Sequence, residues 1–156
     1  MHTRSTIRDA DVSRQNARVH AWRVKEVVNA LNLSTAVGVG VAAAGRARLA
    51  RGPRGMLLAT GYRLGFPKAP AFTVGNVVVT RHEAGWLEAH PRMLVHEERH
   101  TWQYVACLGL PMLPLYLLAA GWSWLRAGDP GTGNVFERAA GLEDGGYRTR
   151  DRGTRT

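Results

Sequence analysis

The sequence predicts a single α+β domain, and three observations predict it. The chain has 156 residues, enough to bury one core but too few for separate substrate and cofactor domains. Two central segments, Gly55 to Arg63 and Ala71 to Arg81, are rich in strand-forming residues between turn formers. The stretches on either side repeat apolar residues at helical spacing. The expectation is a short antiparallel sheet followed by helices within residues 19–147, flanked by a flexible N-terminus at 1–18 and a flexible tail at 148–156.

Val19, Trp22, Val27, Val28 and Leu31 place a first amphipathic helix over about residues 15 to 32. Ser34 is positioned to cap a second, whose residues Thr35 to Gly45 are small and apolar. Together they give an uncharged run from Val27 to Gly45, at the margin of the ~20 apolar residues a membrane span needs. Gly38, Gly40 and Ala43 match the spacing of a dinucleotide fingerprint, but no strand precedes them and arginines follow where a carboxylate belongs. Close helix packing through small residues is the better account. Arg46, Arg48, Arg51 and Arg54 read as a solvated or membrane-facing basic loop. Within the second strand segment, Gly75-Asn76 reads as a tight turn, a bulge or a place where another backbone comes close, with the bulge preferred.

Pro91 opens the next helix, which is expected to run to about Gly109. No charge occurs from Thr101 to Leu125, yet Pro111 and Pro114 interrupt the run. Two shorter apolar helices, packed in the core or dipping into a membrane interface, fit the prolines better than one span. Trp86, Trp102, Trp122 and Trp124 read as core or interface anchors and Cys107 as a small buried hydrophobe. Arg126 to Asn134 is a turn, and a last helix starts at Val135.

The net charge of +9 suits an anionic membrane surface or nucleic acid. No aromatic interleaving, zinc knuckle or recognition-helix pattern accompanies the arginines, so nucleic acid is disfavoured as a partner. The single cysteine excludes an intramolecular disulfide and a cysteine-based zinc site. The first 26 residues hold no apolar run of the kind a signal peptide needs, so the expected location is cytoplasmic, peripheral to or embedded in the inner membrane.

Chemistry concentrates in His96-Glu97-Glu98-Arg99-His100. Two imidazoles four positions apart share a helix face and can reach one metal ion, and the intervening glutamate is placed to take a proton from a water at the open coordination position. The bland alternative is a pair of surface histidines among charged neighbours. A third ligand is needed. The longer motif that continues with glycine and histidine is excluded, because Gln103 and Ala106 stand at those positions. The candidate downstream carboxylates are Glu137, Glu143 and Asp144, and Glu137 is preferred because it begins a helix. It has a rival role: Asn134-Val135-Phe136-Glu137 is also a capping box, in which the glutamate reaches back to the backbone. Gln103 lies one turn beyond His100 on the same face, where its amide could orient a ligand. Tyr147, Tyr116 and His90 are candidate donors to an oxyanion by residue type.

His96, Glu97, His100 and Gln103, followed by Glu137-Arg138-Ala139-Ala140, resemble the H-E-x-x-H-x-x-Q and downstream E-x-x-A of minimal gluzincin-type metallopeptidase domains, found in many small bacterial proteins. The resemblance covers about residues 70 to 147. It implies a small zincin-like fold, Zn2+ held by His96, His100 and Glu137, Glu97 as general base, and the strand near Val77 to Val79 as an edge for an extended peptide or protein substrate. The alternative is a non-catalytic membrane-associated metal-binding or scaffold protein.

Overall fold

A computed structural model describes residues 3–147 of the chain, with side chains from residue 12; the expected tail at 148–156 lies outside the described residues. The elements run α1 (Thr3–Leu31), α2 (Ser34–Ala44), β1 (Arg48–Arg51), a single 3-10 turn (Pro53–Gly55), β2 (Leu57–Thr60), β3 (Ala71–Val74), β4 (Val77–Thr80), α3 (Trp86–Ala89), α4 (Pro91–Ala106), α5 (Met112–Ala127) and α6 (Val135–Ala140). The fold is α+β, as the alternation of periodicities predicts.

The sheet has the order β1-β2-β4-β3 and is mixed: β1/β2 and β3/β4 are antiparallel, while β2 and β4 run parallel. An antiparallel sheet was the expectation. The parallel pair arises because Ala71 to Arg81 is a hairpin of two strands, so the connection after β2 returns on the far side of β4. Gly75 and Asn76 form the hairpin's two-residue turn and no bulge, with Val74 opposite Val77. Gly75 has φ +61°, the left-handed conformation that the first position of such a turn requires. A Cβ at this residue would sit 2.4 Å from the backbone of Ser34, so the turn also presses on the start of α2.

β4 is the central strand that the resemblance marked as an edge; β3 holds the edge instead. All four residues of β4 are buried, which explains a run (Val77-Val78-Val79-Thr80) with no polar alternation. Val77 and Val79 pack with Ala42 of α2 on one face, and Val78 packs with Met56, Leu58 and Leu87 on the other. Each such valine contributes roughly 1.5–3 kcal/mol by leaving water. Gly38 lets α2 lie flat on the hairpin, since a Cβ there would fall 2.3 Å from the Val74 carbonyl oxygen, whereas Gly40 faces open space. Of the three small residues in that pattern, Gly38 alone is a packing device; Gly40 and Ala43 are exposed.

Three local expectations change. α1 reaches back to Thr3, through residues expected to be loose. Ser34 is the first residue of α2 and caps nothing; its hydroxyl bonds Asn32 and the Asn29 carbonyl oxygen. Part of the basic cluster is edge strand β1, and Arg54 turns inward to pair with Glu98 above Trp22. No single described helix is long and apolar enough to cross a membrane; α1 from Val12 and α2 qualify only as a pair bent by 74°.

A buried amide network fixes the hairpin against the helices. Asn29 of α1 donates to the Asn76 side chain and to the Thr101 carbonyl oxygen of α4, both at 2.9 Å, and Asn76 donates back to the Glu26 carbonyl oxygen. α4 thereby lies along β3, which sets the position of everything below.

Candidate metal centre

Proline at the first turn of α4 costs no hydrogen bond, and the helix runs unbroken through the motif until Ala106. His96 and His100 project from its inner face toward α6, and Glu137 projects from α6 toward them. Their donors converge: His96 Nε2 lies 3.1 Å from His100 Nε2 and 3.1 Å from Glu137 Oε2, and His100 Nε2 lies 3.5 Å from Glu137 Oε1. Ligand bonds of 2.0–2.1 Å in a tetrahedron put neighbouring donors about 3.3 Å apart. The three side chains therefore form one face of a tetrahedral site, and this buried group could hold a metal ion.

The outer nitrogens fix which lone pairs face inward. His96 Nδ1 is 3.0 Å from the Gly141 carbonyl oxygen, which can only accept, so that nitrogen carries the proton. His100 Nδ1 is 2.8 Å from Gln103 Oε1, and the Gln103 amide nitrogen donates to the Phe136 carbonyl oxygen at 2.9 Å, so this ring is also protonated on the outside. With those outer nitrogens occupied, both Nε2 atoms face one point beside Glu137 Oε2, a buried oxygen that receives no hydrogen bond; burial would lower the His100 pKa, but Glu137 and Glu97 raise it overall. Two imidazole nitrogens and a carboxylate oxygen aimed together in a buried site need a proton or a metal ion between them.

Glu137 answers its two competing roles. The N–H that a capping glutamate would satisfy, that of Asn134, donates instead to the Gly131 carbonyl oxygen at 2.9 Å, so the Asn134 side chain caps α6 on the Phe136 N–H while the glutamate is left to face the histidines. Burial would raise its pKa, but His100, His96 and the Tyr116 hydroxyl hold the carboxyl well below the usual range. Glu143 is not in the converging set, and Asp144 is engaged by Arg99 and Arg92. Glu97 is buried beside the triad and outside it. Its Oε2 accepts from Thr73 Oγ1 of edge strand β3 at 2.7 Å. Burial raises its pKa, only partly offset by His100 and the Thr73 bond.

Tyr116 of α5 donates to Glu137 Oε1, and Tyr147 lies against the same carboxylate. Burial and that negative charge push both hydroxyls up, so both stay protonated. His90 is elsewhere: it stacks on Trp86 with Nδ1 on the Trp86 carbonyl oxygen, the C-terminal end of a His82-Trp86-His90 stack. It has no part in the centre.

Thr73 and Gly145 escaped the sequence reading. A Cβ on Gly145 would fall 2.6 Å from His96 Cε1, so the segment after α6 passes directly over the ligand ring. Thr73 sits in a strand whose residue types announce only β structure, and Gly145 in a glycine pair whose residue types name no partner. Comparison with known protein families, characterised proteins and solved structures gives no match.

Proposed function

We propose that the protein is a zinc-dependent hydrolase of peptide bonds, in which Glu97 is the general base. The observation that carries this reading is the convergence of His96, His100 and Glu137 on one point with Glu97 beside them but outside the ligand set. Two imidazoles and a carboxylate are a donor set suited to zinc, and catalytic zinc sites use three protein ligands. Bound there, the ion would supply Lewis acidity, bringing the pKa of water down to about 7. Glu97, its carboxyl already raised, takes the water proton and delivers it to the leaving amine. Thr73 holds the carboxylate in place from β3, the edge strand beside which an extended peptide would lie. Tyr147 and Tyr116, both protonated and both directed at Glu137, would donate to a developing oxyanion by releasing that carboxylate. The matching motif order, H-E-x-x-H-x-x-Q with a later E-x-x-A, supports the same assignment.

Elemental analysis of the purified chain tests the metal: one zinc per chain is expected, lost in His96→Ala and His100→Ala. Zinc absent after purification, with none taken up on titration, would overturn the reading. Glu97→Gln should retain zinc and lose peptide hydrolysis.

A second reading rests on burial. His96, Glu97, His100 and Glu137 are all buried, and Gly145 passes over the His96 ring. In that reading the metal ties α4 to α6 and no substrate reaches it. Zinc-loaded chain that hydrolyses nothing in a peptide library, with a melting temperature that falls steeply on chelation, would favour it.

A further inference from the structure

The outward half of α5 is apolar except for Arg126 in its last turn. Leu115, Leu118, Trp122 and Leu125 recur at three and four residues, and all are exposed, Leu125 by 82%. Leu117 and Trp124 widen the same face. The helix's two exceptions with buried polar roles point the other way: Ser123 is buried, and Tyr116 reaches Glu137. Its one charge is Arg126 in the last turn, whose guanidinium lies 4.5 Å over the Trp122 ring.

Two exposed leucines flank the place where the turn leading into α5 meets the turn after α1. Leu108 is 80% exposed and has φ +57°, and Leu33, in the turn between α1 and α2, is 60% exposed with φ +65°. A branched residue in the left-handed region costs about 1 kcal/mol or more, and glycine or asparagine would avoid it. The two turns meet: Gly109 packs so closely on Asn32 that a Cβ there would fall 2.6 Å from its side chain. Val37 and Met112 share one apolar cluster just behind. The chain's two long uncharged runs, Val27 to Gly45 and Thr101 to Leu125, thus meet at one side of the molecule.

We propose that this side docks on an anionic lipid bilayer, with α5 lying in the plane of the interface and the two leucine turns inserted. The partner's chemistry follows from four features. α5 has 16 residues, about 24 Å, short of the ~30 Å hydrocarbon core, so it lies on a membrane and does not span it. Trp122, Trp124 and Arg126 place amphipathic rings and a snorkelling cation at one end of the apolar face, the order found at a lipid headgroup boundary. Leu33 and Leu108 are exposed at turns, where a side chain can insert without moving a helix. The net charge of +9 complements an anionic surface.

Flotation of the full chain with vesicles of phosphatidylcholine, with and without phosphatidylglycerol, tests this. The wild type should float with vesicles, more strongly with the anionic ones. The Leu118→Asp, Leu125→Asp double variant should lose roughly tenfold or more of its partitioning, since each leucine contributes apolar burial on insertion. Leu33→Asn with Leu108→Asn should weaken partitioning while raising thermal stability, because asparagine tolerates the left-handed backbone; a merely structural role for these leucines predicts no change in flotation. Wild-type chain that stays in the aqueous fraction with both vesicle types overturns the proposal. So does a lipid-independent dimer that Leu118→Asp converts to monomer, which would make the face a contact between copies. Neither readout depends on zinc or hydrolysis.

Discussion

Gln103 holds His100 in the one tautomer that can bind a metal: its Oε1 accepts from Nδ1 at 2.8 Å, and its own amide nitrogen is anchored on the Phe136 carbonyl oxygen. The anchor matters because an amide free to rotate could present its N–H₂ and reverse the tautomer. Gln103→Ala is therefore expected to lower metal affinity about 10- to 100-fold, as loss of such outer partners does elsewhere. Gln103→Glu, which keeps an acceptor toward His100, should retain more affinity than the alanine variant. Competition with a chromophoric chelator measures both, and equal affinity of Gln103→Ala and wild type would show that the tautomer is fixed by other means.

Much of this centre was legible in the sequence, for a physical reason. A helix fixes the relation of residues four apart, so His96 and His100 specify their own geometry, and Gln103 follows from the same period. Glu137 was legible only as one of two roles, because a carboxylate near a helix start caps as readily as it ligates. The Asn134 N–H bonding the Gly131 carbonyl oxygen resolves the competition, and that depends on the fold of the turn before α6. The hairpin was the weakest reading. Val77 to Thr80 is buried on both faces, so its apolar run carries no alternation from which to tell two strands from one. The exposed apolar half of α5 was hidden similarly, since composition cannot say which apolar residues find partners.

Thr73 touches the proposed base from a different element, so its effect should appear in a pH profile. Its hydrogen bond favours the charged Glu97 and lowers a pKa that burial raises. Removing the hydroxyl in Thr73→Val lets that pKa rise further. The base must be ionised to act, so the acidic limb of kcat/KM against pH should move to higher pH, with little change on the alkaline side. Thr73→Ser should restore the wild-type limb. An unshifted limb in Thr73→Val, with activity otherwise intact, would remove Thr73 from the positioning of Glu97.

Gly145 is required by steric contact. A methyl at this position would meet three atoms of the His96 ring at 2.6 to 2.9 Å, below any ordinary contact distance. Either the segment after α6 lifts or the imidazole rotates off Gly141, and both disturb a ligand whose lone pair must point at a defined place. Gly145→Ala should weaken metal binding by about tenfold or more while leaving the metal-free chain's circular dichroism unchanged. Metal affinity unaffected by the methyl would mean that the segment yields at no cost and does not brace His96.

Lys25 gives a stability prediction independent of the metal. Its Nζ is wholly buried with no hydrogen-bond partner, 5.6 Å from the Trp102 ring and close to the Arg54–Glu98 pair. Burial lowers its pKa from 10.5 to about 8; Glu98 opposes that shift and Arg54 adds to it. Between those values the unfolded chain holds a proton that the folded chain has released. Stability attributable to this residue therefore rises with pH from about 8 to 10.5, and the full cost of burying the ammonium is present below about 8. Lys25→Met keeps the volume and removes the charge, so at pH 7 it should stabilise the chain by a few kcal/mol, at roughly 1.4 kcal/mol per pKa unit. The difference in unfolding free energy between variant and wild type isolates this group, because Tyr104, Tyr116 and Tyr147 titrate alike in both chains. That difference should shrink steadily as the pH is raised from 8 to 10.5 in urea melts. A Lys25→Met chain less stable than wild type at pH 7 would mean that the ammonium contributes more through Trp102 and Glu98 than its burial costs.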